Sequence, residues 1–432
     1  MSDSAGRLCV QMPGPGRLAL QEHVWRVLAG HLGVQLELVR PAGRTSVYEA
    51  TLGPGGSRRL RIGHRPERFS VHHLKVHTVR HGDREFLLPA GEAEPGLTER
   101  GDEVELRADV ILGLLSLLNL WEEHEIPYRD RFGLVEGRHS PRQAAGLLSE
   151  PLMEHVAAWL AAVLEMPRPD PPAWGLAVSC DVDVLDDDHM PAVLEFLEGH
   201  GVRRPTFMIC AASAEERTIR DPRYDLASRE TRRRLEPLRR ADVEIGLHGS
   251  YLAHDRPDML SAQRRRLEDW CGRAVAGHRA HFFRFAWPRS WAWQRRSGLA
   301  YDASLGYPDM PGLRCGAASP WPFLDPEDPE AEFMIVPTAV LDQHFFWPAA
   351  WEPPAFEACV ARLLDRMRTL GGFLTLDWHT YTLGGGYPEW WDRLGYILQT
   401  ARREGAQLAG IAAMLARRPA TCGAASPAAG GG

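Results

Sequence analysis

Beyond residue 174 the chain alternates between short apolar runs and longer segments with apolar positions at helical spacing. The short runs are apolar nearly throughout, which is typical of strands buried on both faces. Strands and helices in turn predict a parallel sheet, and seven or eight such strands predict a closed or nearly closed barrel. The predicted strands are 176–180, 205–210, 243–247, 281–285, 299–305, 333–337, 373–377 and 407–410, and the predicted helices are 190–199, 228–240, 257–270, 388–404 and a last helix ending at 418.

The first 165 residues have a different pattern. Residues 1–105 contain short strand-like runs separated by glycine and proline turns, and they hold no group of residues suited to catalysis. Residues 106–165 have apolar positions at helical spacing. We therefore expect a smaller N-terminal α+β domain that is helical in its second half, with a role that the sequence does not identify.

Four prolines fall within the ten residues 165–174. Proline at this density cannot continue a helix and forms a stiff connection. We place the domain boundary there, with an N-terminal domain at 1–165, a linker at 166–174 and a barrel at 175–418. The tail 419–432 is rich in alanine, glycine and proline, and we expect it to be disordered.

Composition restricts the class of protein. A chain of 432 residues is too long for one ordinary core, and its net charge of −7 gives no electrostatic reason to expect nucleic acid or an anionic membrane as a partner. The seven cysteines include no Cys-x-x-Cys pair and suggest no disulfide framework. No secretory signal is apparent, and the most apolar run, 110–120, is too short to span a bilayer. We expect a cytoplasmic protein and make no prediction of its oligomeric state.

The first barrel strand ends in two carboxylates, Asp181 and Asp183. Residues two apart on extended backbone point to the same side, so the two acids leave the strand together. Their mutual repulsion is relieved by a nearby cation. The alternative is that the pair only helps to cap the next helix, because three further aspartates follow at 186–188.

Other predicted strand ends carry polar groups of the same kind. In barrel enzymes the chemistry lies at the carboxyl ends of the strands, and several acids and imidazoles there are hard to explain by packing alone. Carboxylate and imidazole ligands together favour one bound divalent metal ion, and Zn²⁺ is the ion we expect. A second carboxylate would then act as the general base and another imidazole as the general acid. The residues at these ends are His248; His278, Arg279 and His281; Tyr301 and Asp302; and Asp377 and His379.

Three motifs resemble those of the polysaccharide deacetylase (NodB-homology) family of carbohydrate esterases. Residues 179–183, Ser-Cys-Asp-Val-Asp, resemble the family's first motif, and 243–248, Val-Glu-Ile-Gly-Leu-His, are similar to its His-Glu-Ile-Gly-x-His element. Asp-Trp-His at 377–379 resembles its last motif. The resemblance covers about 174–418. It implies a distorted (β/α) barrel, and within the family it is closest to a bacterial subgroup with an extra N-terminal domain and an altered second metal motif.

The resemblance implies a role for each matched residue. Asp181 would be the base, His379 the acid, and Asp183 and His248 metal ligands. Arg279 fits the arginine of the family's third motif and joins the catalytic group. The family's usual second histidine is replaced here by Leu252, so we expect His281 as the third ligand, with His254 as the alternative. We expect substrate contacts from Tyr251, Tyr301, Asp302 and Trp378.

The predicted function is metal-dependent hydrolysis of an acetyl group from an amino sugar or a surface-polysaccharide precursor, so the partner is a carbohydrate. An alternative is a catalytically inactive carbohydrate-binding or scaffold protein on the same barrel. A further alternative is a glycosyltransferase that uses Asp-x-Asp to hold a nucleotide-sugar and its metal. That interpretation leaves His248 and His379 without a role.

Overall fold

The chain divides into two compact units, and each is described by itself. The first comprises residues up to 117 together with 152–167, and the second comprises 118–151 together with 172–417. The predicted tail at 419–432 and part of the predicted linker lie outside the described residues. The computed structural model describes residues 6–14, 18–40, 45–53, 56–64, 74–91, 95–167, 172–325, 327–328, 331–348, 350–383 and 387–417.

The first unit is built on a six-stranded mixed sheet in the order β2-β1-β3-β4-β8-β7, with β5 and β6 paired as a separate hairpin. Alternate residues of β1 and β8 are buried, as in strands with one face on a core. The elements are β1 (Arg7–Gln11), α1 (Ala19–Leu32), β2 (Gln35–Val39), β3 (Val47–Leu52), β4 (Arg59–Gly63), β5 (Lys75–His81), β6 (Arg84–Ala90), β7 (Leu97–Arg100), β8 (Glu103–Leu106) and α2 (Val110–Leu118).

The segment 118–151 contains two short helices, α3 (Trp121–His124) and α4 (Pro141–Ala144), and belongs to the second unit. Two buried ion pairs fix this segment: Arg142 binds Glu122 with an N–O distance of 2.6 Å, and Arg314 binds Glu123 at 2.6 Å. The chain then returns to the first unit as α5 (Leu152–Val163). The domain boundary at 165 stays a prediction, and this grouping differs from it because the helical pattern of 106–165 does not show where a segment packs.

The second unit contains a closed barrel of seven parallel strands in the order β9-β10-β11-β12-β13-β15-β16, with β16 paired to β9. The predicted α/β class and barrel are confirmed. The elements are β9 (Trp174–Val182), α6 (Met190–Gly199), β10 (Thr206–Ile209), α7 (Arg229–Arg240), β11 (Glu244–Gly249), α8 (Pro257–Cys271), β12 (Gly277–Ala280), α9 (Arg289–Arg296), β13 (Tyr301–Leu305), β14 (Trp321–Pro322), β15 (Met334–Leu341), α10 (Pro353–Leu370), β16 (Gly372–Asp377), α11 (Thr380–Leu383), α12 (Pro388–Arg403), β17 (Gln407–Ala409) and α13 (Ile411–Leu415).

Strand β9 organises the barrel. All nine of its residues are buried, as expected for a parallel strand covered on both faces. Along one edge it pairs with β17 through residues 175–177 and then with β10 through 179–182. This change of neighbour distorts the barrel. It leaves the carboxyl end of β9 between β10 and β16, where Asp181 and Asp183 emerge.

The predicted strand at 281–285 is wrong. The strand is β12 (Gly277–Ala280), and His281–Phe283 form a 3₁₀ turn. The aromatic run 282–285 has the composition of a strand, whereas the real strand contains His278 and Arg279, whose polar groups bind neighbouring carboxylates.

None of the helices formed by the described residues has both the length and the apolar content that crossing a bilayer requires.

Candidate metal and catalytic site

Two histidines face each other at the carboxyl ends of β11 and β12. The Nδ1–H of His248 donates to the carbonyl oxygen of Arg279 at 3.0 Å, and the Nε2–H of His281 donates to the carbonyl oxygen of Arg220 at 2.7 Å. With one proton on each ring, these bonds place it on the outer nitrogen and leave a lone pair on His248 Nε2 and on His281 Nδ1. Those two nitrogens are 2.8 Å apart. The pair therefore needs either one further proton or a metal ion beside it. Burial opposes the proton, but Asp181 and Asp183 favour it by raising the pKa of the buried His248 to about 9.

The carboxylate of Asp183 completes this arrangement. Its Oδ1 lies 3.3 Å from His248 Nε2 and 3.8 Å from His281 Nδ1. The same oxygen is buried and accepts no hydrogen bond. Ligand atoms from Asp183, His248 and His281 all lie within 4.8 Å of one another. One carboxylate and two imidazoles, with the outer histidine nitrogens held by backbone carbonyls, are a donor set that fits a zinc-type divalent ion.

The alternative ligand, His254, is not part of this group. It lies in the 3₁₀ turn Ala253–Asp255, and its Nδ1 is 3.2 Å from the carbonyl oxygen of Tyr251. Burial, the largest influence, together with the charge of Arg284 lowers the pKa of His254. The geometry therefore favours His281 over His254 as the third ligand.

Asp181 is buried and forms an ion pair with Arg279, the arginine that we predicted for this site from the sequence. Arg279 has no exposed surface, and its Nη1 is 2.8 Å from Asp181 Oδ1 and 2.8 Å from Asp377 Oδ1. Its other nitrogens donate to Ser179 Oγ at 2.8 Å and to the carbonyl oxygen of Ala303 at 3.1 Å. One guanidinium thus lies between two carboxyl groups.

The two carboxyl groups do not share the charge equally. Burial opposes ionisation of both, but the protonated form of His248 and the guanidinium of Arg279 hold the pKa of Asp181 below its ordinary value. Burial raises the pKa of Asp377 well above its ordinary value, and repulsion from Asp181 adds to this. Asp181 therefore ionises more readily than Asp377.

His379 lies on the opposite side of Asp183. Its Nε2 is 3.5 Å from Asp183 Oδ2, and its Nδ1 is 2.9 Å from Asp342 Oδ1. The backbone N–H of His379 also donates to Asp342 Oδ2 at 2.8 Å. Burial opposes protonation of His379, but Asp342 and Asp183 together raise its pKa well above its ordinary value. The ring is thus positioned and charged as a proton donor.

Asp342 was not among the predicted site residues. It directly follows β15, a strand that the sequence analysis ended at 337 and that continues to Leu341. Its carboxylate is fully buried. The sequence signal for Asp342 is an acid placed directly after a strand. The sequence analysis missed it because it ended that strand four residues too early, at 337.

Three of the predicted substrate-binding residues are fully buried. Tyr301 and Asp302 open β13 rather than end it, so they lie toward its amino end. The Tyr301 hydroxyl donates to Glu244 Oε1 at 2.8 Å, and Asp302 Oδ1 accepts from His278 Nδ1 at 2.8 Å. Trp378 is fully buried. None of the three exposes a surface that a sugar can contact, whereas Tyr251 lies partly exposed just beyond β11.

No family model and no curated protein matches this chain. Many solved structures are similar to part of this chain, among them the following three. A protein assigned as a polysaccharide deacetylase from Mycobacterium smegmatis is 17% identical over 59% of this chain and 92% of its own, with a TM-score of 0.44. A family 4 acetyl xylan esterase from Clostridium thermocellum, in complex with cobalt, is 13% identical over 56% and 90%, with a TM-score of 0.34.

The third is a CE4 family pseudoenzyme from Bacillus anthracis, which is 13% identical over 57% of this chain and 66% of its own, with a TM-score of 0.35. At these identities, any assignment of chemistry to this chain rests on the geometry of its own site.

Proposed function

We propose that this chain is a metal-dependent deacetylase that hydrolyses the acetyl group from an amino sugar or a surface-polysaccharide precursor. The observation that carries the proposal is the convergence of three different groups at one end of the barrel. These are a set of donor atoms that fits a divalent cation, a carboxylate held by a buried arginine, and a charged imidazole held by a second carboxylate. Each matches one requirement of amide hydrolysis.

Asp183, His248 and His281 would hold the metal through a carboxylate oxygen, Nε2 and Nδ1. A divalent ion bound there, which we expect to be Zn²⁺, would polarise the acetyl carbonyl and lower the pKa of the attacking water. The carbonyls of Arg279 and Arg220 keep both rings in the tautomer that such an ion needs.

Asp181 acts as the general base. Its Oδ1 is occupied by Arg279, so Oδ2 is the atom that takes a proton from the attacking water. The Arg279 guanidinium fixes the carboxylate and keeps it ionised. Because Asp377 ionises less readily, it does not compete for that role.

His379 acts as the general acid. Its Nε2 carries the proton that passes to the departing amine nitrogen as the carbon–nitrogen bond breaks, which leaves acetate and a free amine. Asp342 holds the ring through Nδ1 and the backbone N–H. An inactive sugar-binding or scaffold barrel remains the alternative, and it predicts no acetate release with or without metal.

We also propose a cytoplasmic location and a carbohydrate partner. The six cysteines of the described residues are all free thiols, which suits a reducing compartment. A cytoplasmic enzyme would act on a soluble or lipid-linked precursor rather than on a finished wall.

The test is acetate release from a panel of N-acetylated sugars by protein loaded with zinc or cobalt, compared with protein treated with a chelator. Asp181→Asn is expected to keep the metal and to lose turnover by about a hundredfold or more. His379→Ala is expected to keep the metal and to slow the same step. Metal-independent acetate release, or none from any sugar, contradicts the proposal, and loss of metal in Asp181→Asn contradicts the assignment of the base.

A further inference from the structure

A cluster of arginines and aromatic rings lies beside the candidate site, and we call it the arginine–aromatic wall. The rings of Phe132 and Phe282 have centroids 4.3 Å apart, and Phe282 lies 5.8 Å from Tyr251. Arginine Cζ atoms cover these rings. Arg284 is 3.9 Å from the centroid of Tyr251, Arg220 is 4.9 Å from Tyr251 and 5.2 Å from Phe132, and Arg131 is 4.8 Å from Phe132.

The wall is continuous with the proposed metal ligands. Phe282 follows His281 in the chain, and their ring centroids are 4.4 Å apart. The carbonyl oxygen of Arg220 accepts the hydrogen bond of His281 Nε2. Tyr251 follows His248 by three residues. A group bound to the wall therefore lies beside the reacting centre rather than at a separate place on the surface.

The backbone after His281 is strained in a way that places the wall. Phe282 has a φ of 59° and Phe283 a φ of 55°. Left-handed backbone is unfavourable for a residue other than glycine, and it persists where the surroundings enforce it. This turn places Phe282 in the wall and packs Phe283 against Leu134 and Leu341.

The three guanidinium groups of the wall lack ion-pair partners. Among the described residues, no carboxylate oxygen lies within 4.0 Å of a nitrogen of Arg131, Arg220 or Arg284. The carboxylate of Asp221, which approaches Tyr251, is occupied by the backbone N–H groups of Tyr251 and Thr218 at 2.6 and 2.7 Å.

Elsewhere in the same unit arginines are commonly paired, as Arg217 is with Asp225 and Arg266 with Glu216. Like charges gathered around three rings repel one another, and an anion removes that repulsion.

The guanidinium groups are also held in place. Arg220 donates to the Tyr251 hydroxyl at 3.0 Å, and Arg284 donates to the Tyr251 carbonyl oxygen at 2.9 Å. Each uses one nitrogen in these bonds, and its remaining N–H groups are available to a ligand. A guanidinium positioned by stacking loses little freedom on binding phosphate or carboxylate, and the geometry of its donors matches both.

We infer that the wall binds an anionic group, a phosphate or a carboxylate, carried by the N-acetylated sugar. The inference rests on the proposed function and names the substrate class of that site. A neutral acetylated sugar offers the three unpaired guanidinium groups hydroxyl acceptors but no counter-charge. An oxyanion on the same sugar, or on the group linked to it, can bind these guanidinium groups while the acetamido group lies at the catalytic residues.

The test measures binding separately from turnover. Full-length Asp181→Asn protein, which turns over slowly, is titrated calorimetrically with N-acetylglucosamine, N-acetylglucosamine 1-phosphate, N-acetylglucosamine 6-phosphate and N-acetylmuramic acid. At least one anionic sugar is expected to bind about tenfold or more tightly than the neutral sugar, and added salt is expected to weaken only the anionic ones. Preference among the phosphates and the carboxylate identifies the oxyanion.

Variants locate the anion. Arg220→Gln and Arg284→Gln, in the same background, are expected to weaken the anionic sugar by about tenfold to a hundredfold and to leave the neutral sugar unchanged. Arg284→Lys should keep part of the effect because it keeps the charge. The matched control is Arg289→Gln, whose arginine lies 5.7 Å from the ring of Trp293 and outside the wall, and it should change nothing.

The outcomes separate this inference from the proposed function. In protein that keeps Asp181, acetate release from neutral and anionic sugars alike that Arg220→Gln and Arg284→Gln do not change overturns the inference and leaves the deacetylase intact. Arginine-dependent binding of an anionic sugar, with no acetate release by the metal-loaded protein that keeps Asp181, supports the wall and removes the deacetylase. Equal binding of neutral and anionic sugars by all variants also overturns the inference.

Discussion

His248 and His281 present unprotonated nitrogens to each other at 2.8 Å, and both of their outer nitrogens donate to backbone carbonyls. Two facing lone pairs repel each other, so the two nitrogens need either an added proton or a metal ion bound beside them. Asp183 Oδ1, buried and without a hydrogen-bond donor, lies within 4 Å of both nitrogens. A divalent ion satisfies all three atoms, whereas one proton satisfies only two.

Removal of Arg279 should destabilise the barrel. This fully buried guanidinium lies between the carboxyl groups of Asp181 and Asp377, so Arg279→Met leaves a buried carboxylate without its counter-charge. We expect a loss of about 3–5 kcal/mol in the free energy of unfolding. Denaturant unfolding at pH 7.5 measures it.

Asp377→Asn is the matched control for that change. Because Asp377 is the member of the pair that ionises less readily, an amide of the same shape replaces it with little change in charge. We expect a loss of less than about 1 kcal/mol. If Asp377→Asn were as costly as Arg279→Met, the charge would lie on Asp377 and the assignment of Asp181 as base would be wrong.

Asp342→Asn should change the pH dependence of turnover. Asp342 raises the pKa of His379, and the proposed acid acts only when protonated. Loss of the negative charge lowers that pKa, so the basic limb of the profile of kcat against pH should move to lower pH. Turnover near neutral pH should fall by up to about a hundredfold while bound metal is kept. An unmoved basic limb would show that His379 is not the acid.

His344 should make the fold sensitive to mild acid. Burial is the main cause that lowers its pKa to about 4, and its ring donates to the carbonyl oxygen of Tyr307 at 2.9 Å. The unfolded chain takes up a proton near pH 6.5, whereas the folded chain does so only near pH 4. Stability therefore falls as pH decreases through this window. Between pH 7.5 and pH 5 the loss from this group is about 2 kcal/mol.

The measurement is denaturant unfolding at both pH values for wild type and His344→Gln. The variant begins less stable at pH 7.5, because a buried partner is lost, but it should lose about 2 kcal/mol less than wild type on going to pH 5. Equal losses in the two proteins would mean that the fold does not lower the pKa of His344.

The alternation of apolar runs with helical segments was sufficient to predict the parallel barrel. It also identified strand ends that carry Asp181, His248 and Asp377, because a parallel strand buried on both faces is apolar to its end. Strand β12 escaped this reasoning. Its four residues include His278 and Arg279, whose polar groups are satisfied inside the structure, so the neighbouring aromatic run appeared to be the strand.

Other features depend on tertiary contacts that one sequence does not reveal. Asp342 gains its role from contact with His379, which lies 37 residues away in the chain. Tyr301 and Asp302 were expected near substrate, but they lie inside the predicted run 299–305 and open β13 rather than end it. Trp378 lies between two site residues in sequence, but it is fully buried and offers no surface to a substrate.

The central claim is tested most directly by elemental analysis of metal per chain in protein purified without chelators. We expect about one equivalent in wild type and in His254→Ala. We expect loss of that metal in Asp183→Ala, His248→Ala and His281→Ala, with unfolding curves recorded to show that each variant is folded. Loss of metal in His254→Ala with retention in His281→Ala would contradict the assigned ligands, and no metal in folded wild type supplied with zinc or cobalt would contradict the metal site itself.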